Sequence, residues 1–368
     1  MINRSGIRRT SDYAHEVGRE ARSAAGDEGG HRRDCAGAGD QDRPDARSRA
    51  WPPGSPLQAW LRGGSVVQKV VLMDGGMGQE LIRRAKGEPT PAWSAQVMDL
   101  EPELVEEVHL ENIQAGARAV TVNAYSVTRA RLASVEKEDR FEALQRKSCE
   151  LALKARDASG ENVTITGCLS PYMWSYRPGL NPSVDEMIPT YREIAQIQAE
   201  YVDVMLCETM GSGDEALAAA TAAVETGKPV WVAWTLMDDG TGRVRSGETL
   251  EEVNARLAHL PIAARLVNCS CPESVDAGIA DLVALGGPVG AYANGFTGIK
   301  DYFTAGTTVK GLEARADLGP EQYADFVVRW AEKGLTFLGG CCEISPAHIS
   351  ELNNRLQALG YDIAGTPQ

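Results

Sequence analysis

Eight short apolar runs, helical patterns between them, and glycines closing most of those helical stretches together predict an α/β fold of the (β/α)8 type, a TIM barrel. The runs begin with VVLMDGG (70–76), AVTVNAY (119–125), VTITGCLS (163–170) and VDVMLCET (202–209). PVWVAWTL (229–236), ARLVNCS (264–270), PVGAYAN (288–294) and LTFLGGC (335–341) complete the set. Each is continuous rather than alternating, as a parallel strand covered on both faces should be. Helical segments follow in turn, and Gly116, Gly160, Gly227, Gly287 and Gly334 stand where a helix gives way to the next strand. In PEQYADFVVRWAEKG, Tyr323, Phe326, Val327 and Trp330 fall at i, i+3, i+4 and i+7, a stripe read as core. A last helix is expected after Ile344. A doubly wound sheet is the rival, but no phosphate-binding glycine signature follows the first strand.

Residues 1–66 do not share this regularity. Arginine is frequent there, lysine is absent until Lys69, and no apolar period of 2 or 3.6 emerges. The expectation is a disordered extension, or upstream sequence read through from a mis-assigned start with the protein beginning near Val66 or Val67. Its acidic residues argue against a mitochondrial leader. Residues 67–368 form the barrel domain.

The 368 residues, 43% hydrophobic, suffice to bury a large core. A formal charge of −14 and a pI near 5.0 argue against nucleic acid or an anionic membrane as partner. No apolar run approaches the roughly 20 residues that a membrane span needs. There is no secretory h-region, so reduced cysteines in a cytoplasm are expected. Clustered thiols then point to a metal or to catalysis.

The clustering is specific. In a barrel the chemistry lies at the carboxyl ends of the strands. Cys269 ends the sixth run, and Cys341 and Cys342 end the eighth. A bridge between the adjacent pair is disfavoured, because neighbouring Cα atoms sit about 3.8 Å apart and a relaxed disulfide wants roughly 4.4–6.8 Å. Gly339–Gly340 are expected to turn the backbone so that both thiols face one way. Three thiolates at one mouth make a soft, tetrahedral-favouring site with one position open, as for a catalytic Zn2+. Cys271 competes with Cys269 for a place in it, and three unrelated buried cysteines remain the alternative.

MDGGMGQEL (73–81), AWSAQV (92–97), CET (207–209), VNC (267–269) and GGCC followed by SPAHI carry a resemblance. In this order they are similar to the homocysteine S-methyltransferase family, from about Val70 to about Leu359. The resemblance implies a zinc-dependent barrel that transfers a methyl group to the thiol of homocysteine, giving methionine. It implies Cys269, Cys341 and Cys342 as zinc ligands. It further implies that Asp74 and Glu208 hold the homocysteine amino group and that the Gly75 and Gly76 amides approach its carboxylate. Strand-end acids capping the following helices are the bland reading of Asp74 and Glu208.

On the donor side the resemblance implies Trp93 and Tyr125, since an onium cation is held by aromatic faces. Tyr172, Trp174 and Tyr176 could add walls. S-methylmethionine or S-adenosylmethionine is favoured as donor over betaine, on the breadth of the family. Glu343 departs from the family pattern and is expected to add negative charge near the mouth. His348 reads as a capping-region residue at a helix start. Two other readings stand: a homocysteine module methylated by a separate corrinoid protein, and a non-catalytic zinc or redox thiol protein. Selenocysteine as acceptor and the oligomeric state are not legible in the sequence.

Overall fold

The computed structural model describes residues 68–87, 90, 92–299 and 312–366. The expectation for residues 1–66 lies outside the described residues. All eight predicted strands form: β1 (Lys69–Leu72), β2 (Ala119–Thr121), β3 (Thr164–Thr166), β4 (Met205–Met210), β5 (Val230–Trp234), β6 (Ile262–Asn268), β7 (Val289–Ala293) and β8 (Phe337–Gly340). Every pairing among them is parallel. Ladders join β4 through β8 to β1, another joins β2 to β3, and the bridges Met73–Ala119 and Thr166–Val204 close the ring. The fold is a (β/α)8 barrel.

The hydrophobic effect acts in two layers, which explains the unbroken apolar runs. Alternate strand residues such as Val71, Leu206, Trp231, Leu266 and Phe337 fill the barrel interior. Their neighbours along the same strands face the helices in a second, larger cluster. Inside, the Trp231 and Phe337 rings meet edge to face at 4.7 Å. Gly290 on β7 makes room for them: a Cβ there would lie 2.3 Å from both Cβ and O of Phe337. Gly290→Ala is therefore expected to destabilise the fold by about 1–3 kcal/mol through overpacking, read as a lower urea midpoint at unchanged slope.

Helices surround the ring. Between β1 and β2 there are three where one was expected: α1 (Met77–Arg84), α2 (Trp93–Leu100) and α3 (Pro102–Gln114). Then come α4 (Arg129–Ala133), α5 (Phe141–Ser159), α6 (Val184–Ala199), α7 (Gly213–Val224) and α8 (Leu250–Arg256). The last three are α9 (Pro272–Ala284), α10 (Pro320–Glu332) and α11 (Pro346–Ala358). Capping boxes Ser183–Glu186 and Thr249–Glu252 start α6 and α8 by satisfying first-turn amides. The five glycines expected at helix ends all have left-handed φ. The stripe on α10 faces the core, as expected: Tyr323, Val327 and Trp330 are fully buried, and Phe326 is partly buried against them. Tyr323 also donates its hydroxyl to Gly339 O at 2.7 Å, tying α10 to β8 beneath the mouth.

One strand was not expected. β9 (Asp362–Ala364) pairs with Lys69, Val70 and Val71 of β1, Lys69 opposite Asp362, on the side that β2 takes over at Met73. Three residues are too few to show a period. Among the described residues, no helix is long and apolar enough to cross a membrane.

Candidate metal centre and substrate pocket

The carboxyl ends of the strands open into one pocket that brings together Asp74, Glu208, Cys269, Cys341, Cys342 and the aromatic pair Trp93 and Tyr125. The three sulfurs lie within 4.8 Å of one another, with Cys269 Sγ 3.7 Å and Cys341 Sγ 4.0 Å from Cys342 Sγ. Zn–S bonds of about 2.3 Å at tetrahedral angles put sulfurs about 3.8 Å apart, whereas a disulfide needs about 2.05 Å. The spacing fits a shared metal rather than a crosslink. Hydrogen bonding to Cys341 and Cys342 draws the Cys269 thiol well below its usual range. Cys341 and Cys342, sharing protons with it, are held up. Cys271 stays apart at the start of α9, its sulfur 3.1 Å from Ser274 Oγ.

The turn that presents the adjacent thiols differs from the expected one. Gly339 and Gly340 are extended within β8, and the left-handed residue is Glu343, φ 67°. Ile344 N donates to Cys341 O at 3.0 Å, closing a four-residue turn whose third position must be left-handed, as in type II. The two glycines serve close approach instead: a Cβ would meet Met73 Cβ at 2.7 Å from Gly339, and Ile344 Cγ2 at 2.1 Å from Gly340. Tyr176, Thr209 and Cys269 at the same mouth also have positive φ, strain that clusters where function does.

Asp74 lies just beyond β1 and Glu208 inside β4, not at its end as expected; both are buried. Asp74 Oδ2 accepts from Thr121 N at 2.9 Å. Cys168 donates to Glu208 Oε1 at 2.9 Å, and the Tyr292 hydroxyl donates to Oε2 at 3.4 Å. Neither acid caps a helix. Burial pushes the Asp74 carboxyl up to about 8, with the Glu208 charge adding to it against the Thr121 amide. Burial likewise raises Glu208 to about 7. Asn268 steadies the next residue, accepting from Thr209 N at 2.8 Å and donating to Thr209 Oγ1 at 2.9 Å. Cys168, Tyr292 and Asn268 were missed because each acts through a partner forty or more positions away.

The Gly75 and Gly76 amides, expected to approach a substrate carboxylate, are engaged within the protein. Gly75 N donates to Asn112 Oδ1 at 3.0 Å, and Gly76 N to Ile344 O at 2.7 Å. Both glycines line the pocket, where a Cβ would lie 2.3 Å from Ile344 O or 2.5 Å from Cys341 O. They let the loop after β1 pack on the cysteine turn. Beside them is the start of α1, which no side chain caps and whose first residues Met77, Gly78 and Gln79 line the pocket.

Trp93 and Tyr125 form one wall, ring centroids 6.3 Å apart at 34°. Of the three residues considered after β3, Tyr176 alone lines the pocket, its hydroxyl 2.9 Å from Cys269 Sγ. Tyr172 packs on Tyr191, and Trp174 on Arg131. Phe296 and Leu312, which no sequence period marks, complete an apolar cluster with Trp93. Glu343 does not load the mouth with charge, because Arg83 Nη1 meets it at 2.7 Å. His348 is a capping residue but a buried one: Nδ1 accepts from Ser345 N at 3.1 Å, so Nε2 carries the proton toward Leu318 O.

The model of the homocysteine S-methyltransferase family matches residues 71–356. The homocysteine S-methyltransferase of Escherichia coli K12 is 31% identical over 82% of this chain and 98% of its own length. A selenocysteine Se-methyltransferase of Brassica oleracea is 25% identical over 77% of this chain and 88% of its own. Among solved structures, the metallated form of the E. coli homocysteine methyltransferase MmuM superimposes with a TM-score of 0.66 at 29% identity. It covers 82% of this chain and 99% of its own.

Proposed function

The chain belongs to the homocysteine S-methyltransferase family, and from that membership we propose that it moves a methyl group from an onium donor to the thiol of homocysteine, using zinc held by Cys269, Cys341 and Cys342. The observation that carries the reading is the triad of sulfurs at ligand spacing in the same pocket as two buried acids and an aromatic wall. Zinc held by these three sulfurs would stabilise a substrate sulfur as thiolate at neutral pH. The chain's own residues orient the rest. Asp74 and Glu208 hold the substrate ammonium between them, and the uncapped start of α1 receives its carboxylate. Trp93 and Tyr125 face the onium, whose charge is drawn to their ring faces.

The homocysteine sulfur then attacks the donor methyl in line. A C–S bond forms to homocysteine, the bond from methyl to the donor's onium atom breaks, and its electron pair returns to that atom, which leaves uncharged. The thiol proton passes to solvent. Positioning supplies most of the acceleration, since no group on the protein gains or loses a proton in the transfer step itself. S-methylmethionine and S-adenosylmethionine are the favoured donors. The cytoplasm, which keeps thiols reduced, suits the site.

Zinc-loaded protein supplied with homocysteine and, in turn, S-methylmethionine, S-adenosylmethionine, betaine and dimethylsulfoniopropionate is expected to form methionine with one or more of them. Chelation should abolish that product and zinc restore it. Silence across the panel would refute the onium reading.

A further inference from the structure

Arg131, on the short helix α4, is 1% exposed. Its guanidinium carbon lies 5.0 Å from the ring centroid of Trp93, 5.2 Å from Trp174 and 5.9 Å from Tyr125. Nη2 donates to Ser175 Oγ at 3.1 Å, and that hydroxyl is 2.7 Å from the hydroxyl of Tyr125. Nε has no partner among the described residues. Nor does any described carboxylate pair with this side chain, whereas Arg129, two positions earlier, pairs with both Glu138 and Glu193.

A guanidinium keeps its charge at any ordinary pH, and a buried charge without a counter-ion is unfavourable. Three ring faces offset part of that. They do not replace an anion. Trp93, Tyr125 and Ser175 are also pocket residues, so Arg131 stands directly behind the wall that faces the onium. No Lys or Arg is among the described residues lining the pocket, whose ionisable groups, Asp74, Glu208 and the three cysteines among them, can carry only negative charge. A bare cation gains from the wall's faces but is opposed by the charge behind them. A cation bearing its own carboxylate gains from both.

We propose that Arg131 is a specificity-determining residue for the methyl donor, selecting, through Ser175 and the Trp93–Tyr125 wall, an onium that carries a carboxylate on the same molecule. This rests on the methyl-transfer reading and specifies its second substrate. A residue that merely props up the aromatic rings would affect all donors alike. The charge reading requires discrimination between a donor and its neutralised twin.

The probes are S-methylmethionine and its carboxamide, the same sulfonium with the carboxylate replaced, compared by kcat/KM at saturating homocysteine. Calorimetric binding of both compounds provides a readout without turnover. The wild-type protein is expected to prefer the acid by about tenfold or more, as a fixed charge in a low-dielectric wall provides. Arg131→Met should bring the two within about twofold while leaving the KM for homocysteine in place. Equal use and equal binding of acid and amide by the wild type would overturn the proposal, as would a Met variant that keeps the preference. Should the Met variant not fold, Arg131→Lys decides: its ratio should shrink yet stay above one, and an unchanged ratio counts against the proposal. If neither compound turns over but the acid binds tighter, S-methylmethionine fails as donor while the selection by Arg131 stands.

Discussion

Cys341→Ser is expected to remove the bound metal and, with it, methionine formation, by roughly 10³-fold or more. A serine hydroxyl keeps its proton near neutral pH and is a poor, hard partner for an ion held by soft ligands. With two thiolates left, the substrate sulfur loses its activation and its anchor together. Serine at Cys341 adds no bulk, so loss of function should come with a normal unfolding transition. Elemental analysis gives metal per chain, and the same preparation gives turnover. Cys271→Ser is the internal control: its sulfur faces Ser274, outside the triad, and both readings should stay near wild type. A Cys341→Ser protein that retains metal and full turnover would end the metal-centre reading, and with it the assignment of the triad. The redox or zinc-store reading predicts loss of metal as well, so the next substitutions separate it from catalysis.

Asp74→Asn and Glu208→Gln should each raise the KM for homocysteine roughly 10–100-fold, since a hydrogen bond to a charged group contributes about 1.5–3 kcal/mol. A protein that only stores metal would bind it unchanged and have no such KM to lose. The acids also predict a pH dependence with a definite sign. Burial holds the carboxyls of Asp74 near 8 and Glu208 near 7, so in the ligand-free protein both are largely protonated at pH 6. Only the ionised forms attract an ammonium group. Homocysteine affinity should therefore rise as pH climbs through about 7 to 8, and the Asp74→Asn variant should lose the upper part of that rise. Stability runs the other way. The folded-state value of Asp74 is raised from 3.8, so its contribution to stability is complete below that and lost as pH rises through about 8. An affinity flat from pH 6 to 9 would show that these acids do not hold the amino group.

Much of this was legible in the residues. Continuous apolar runs such as PVWVAWTL must be buried on both faces, and repeating them between helical stretches leaves few folds but a parallel barrel. Thiols at the ends of the sixth and eighth runs then had to share a mouth. The three helices between β1 and β2 were not anticipated, because short helices joined by turns leave a blurred period. The function of Gly339–Gly340 was misread for a different reason. A glycine in sequence shows that a side chain is absent, not whether the cause is a turn or a neighbour, and here it is Met73 and Ile344 pressing close.

By itself, then, the chain's order of residues determined the barrel, the end of it at which chemistry takes place, and the kinds of atoms gathered there, because burial and strand direction follow from local pattern. Tertiary structure alone decided which amides were already engaged, that Arg83 neutralises Glu343, that Cys168 and Tyr292 grip Glu208, and that Arg131 sits behind the aromatic wall with no described carboxylate beside it. These are contacts between residues far apart along the chain, fixed by where the strands and loops pass one another. No local period encodes them, since hydrogen bonds and charges act across space and not along the backbone.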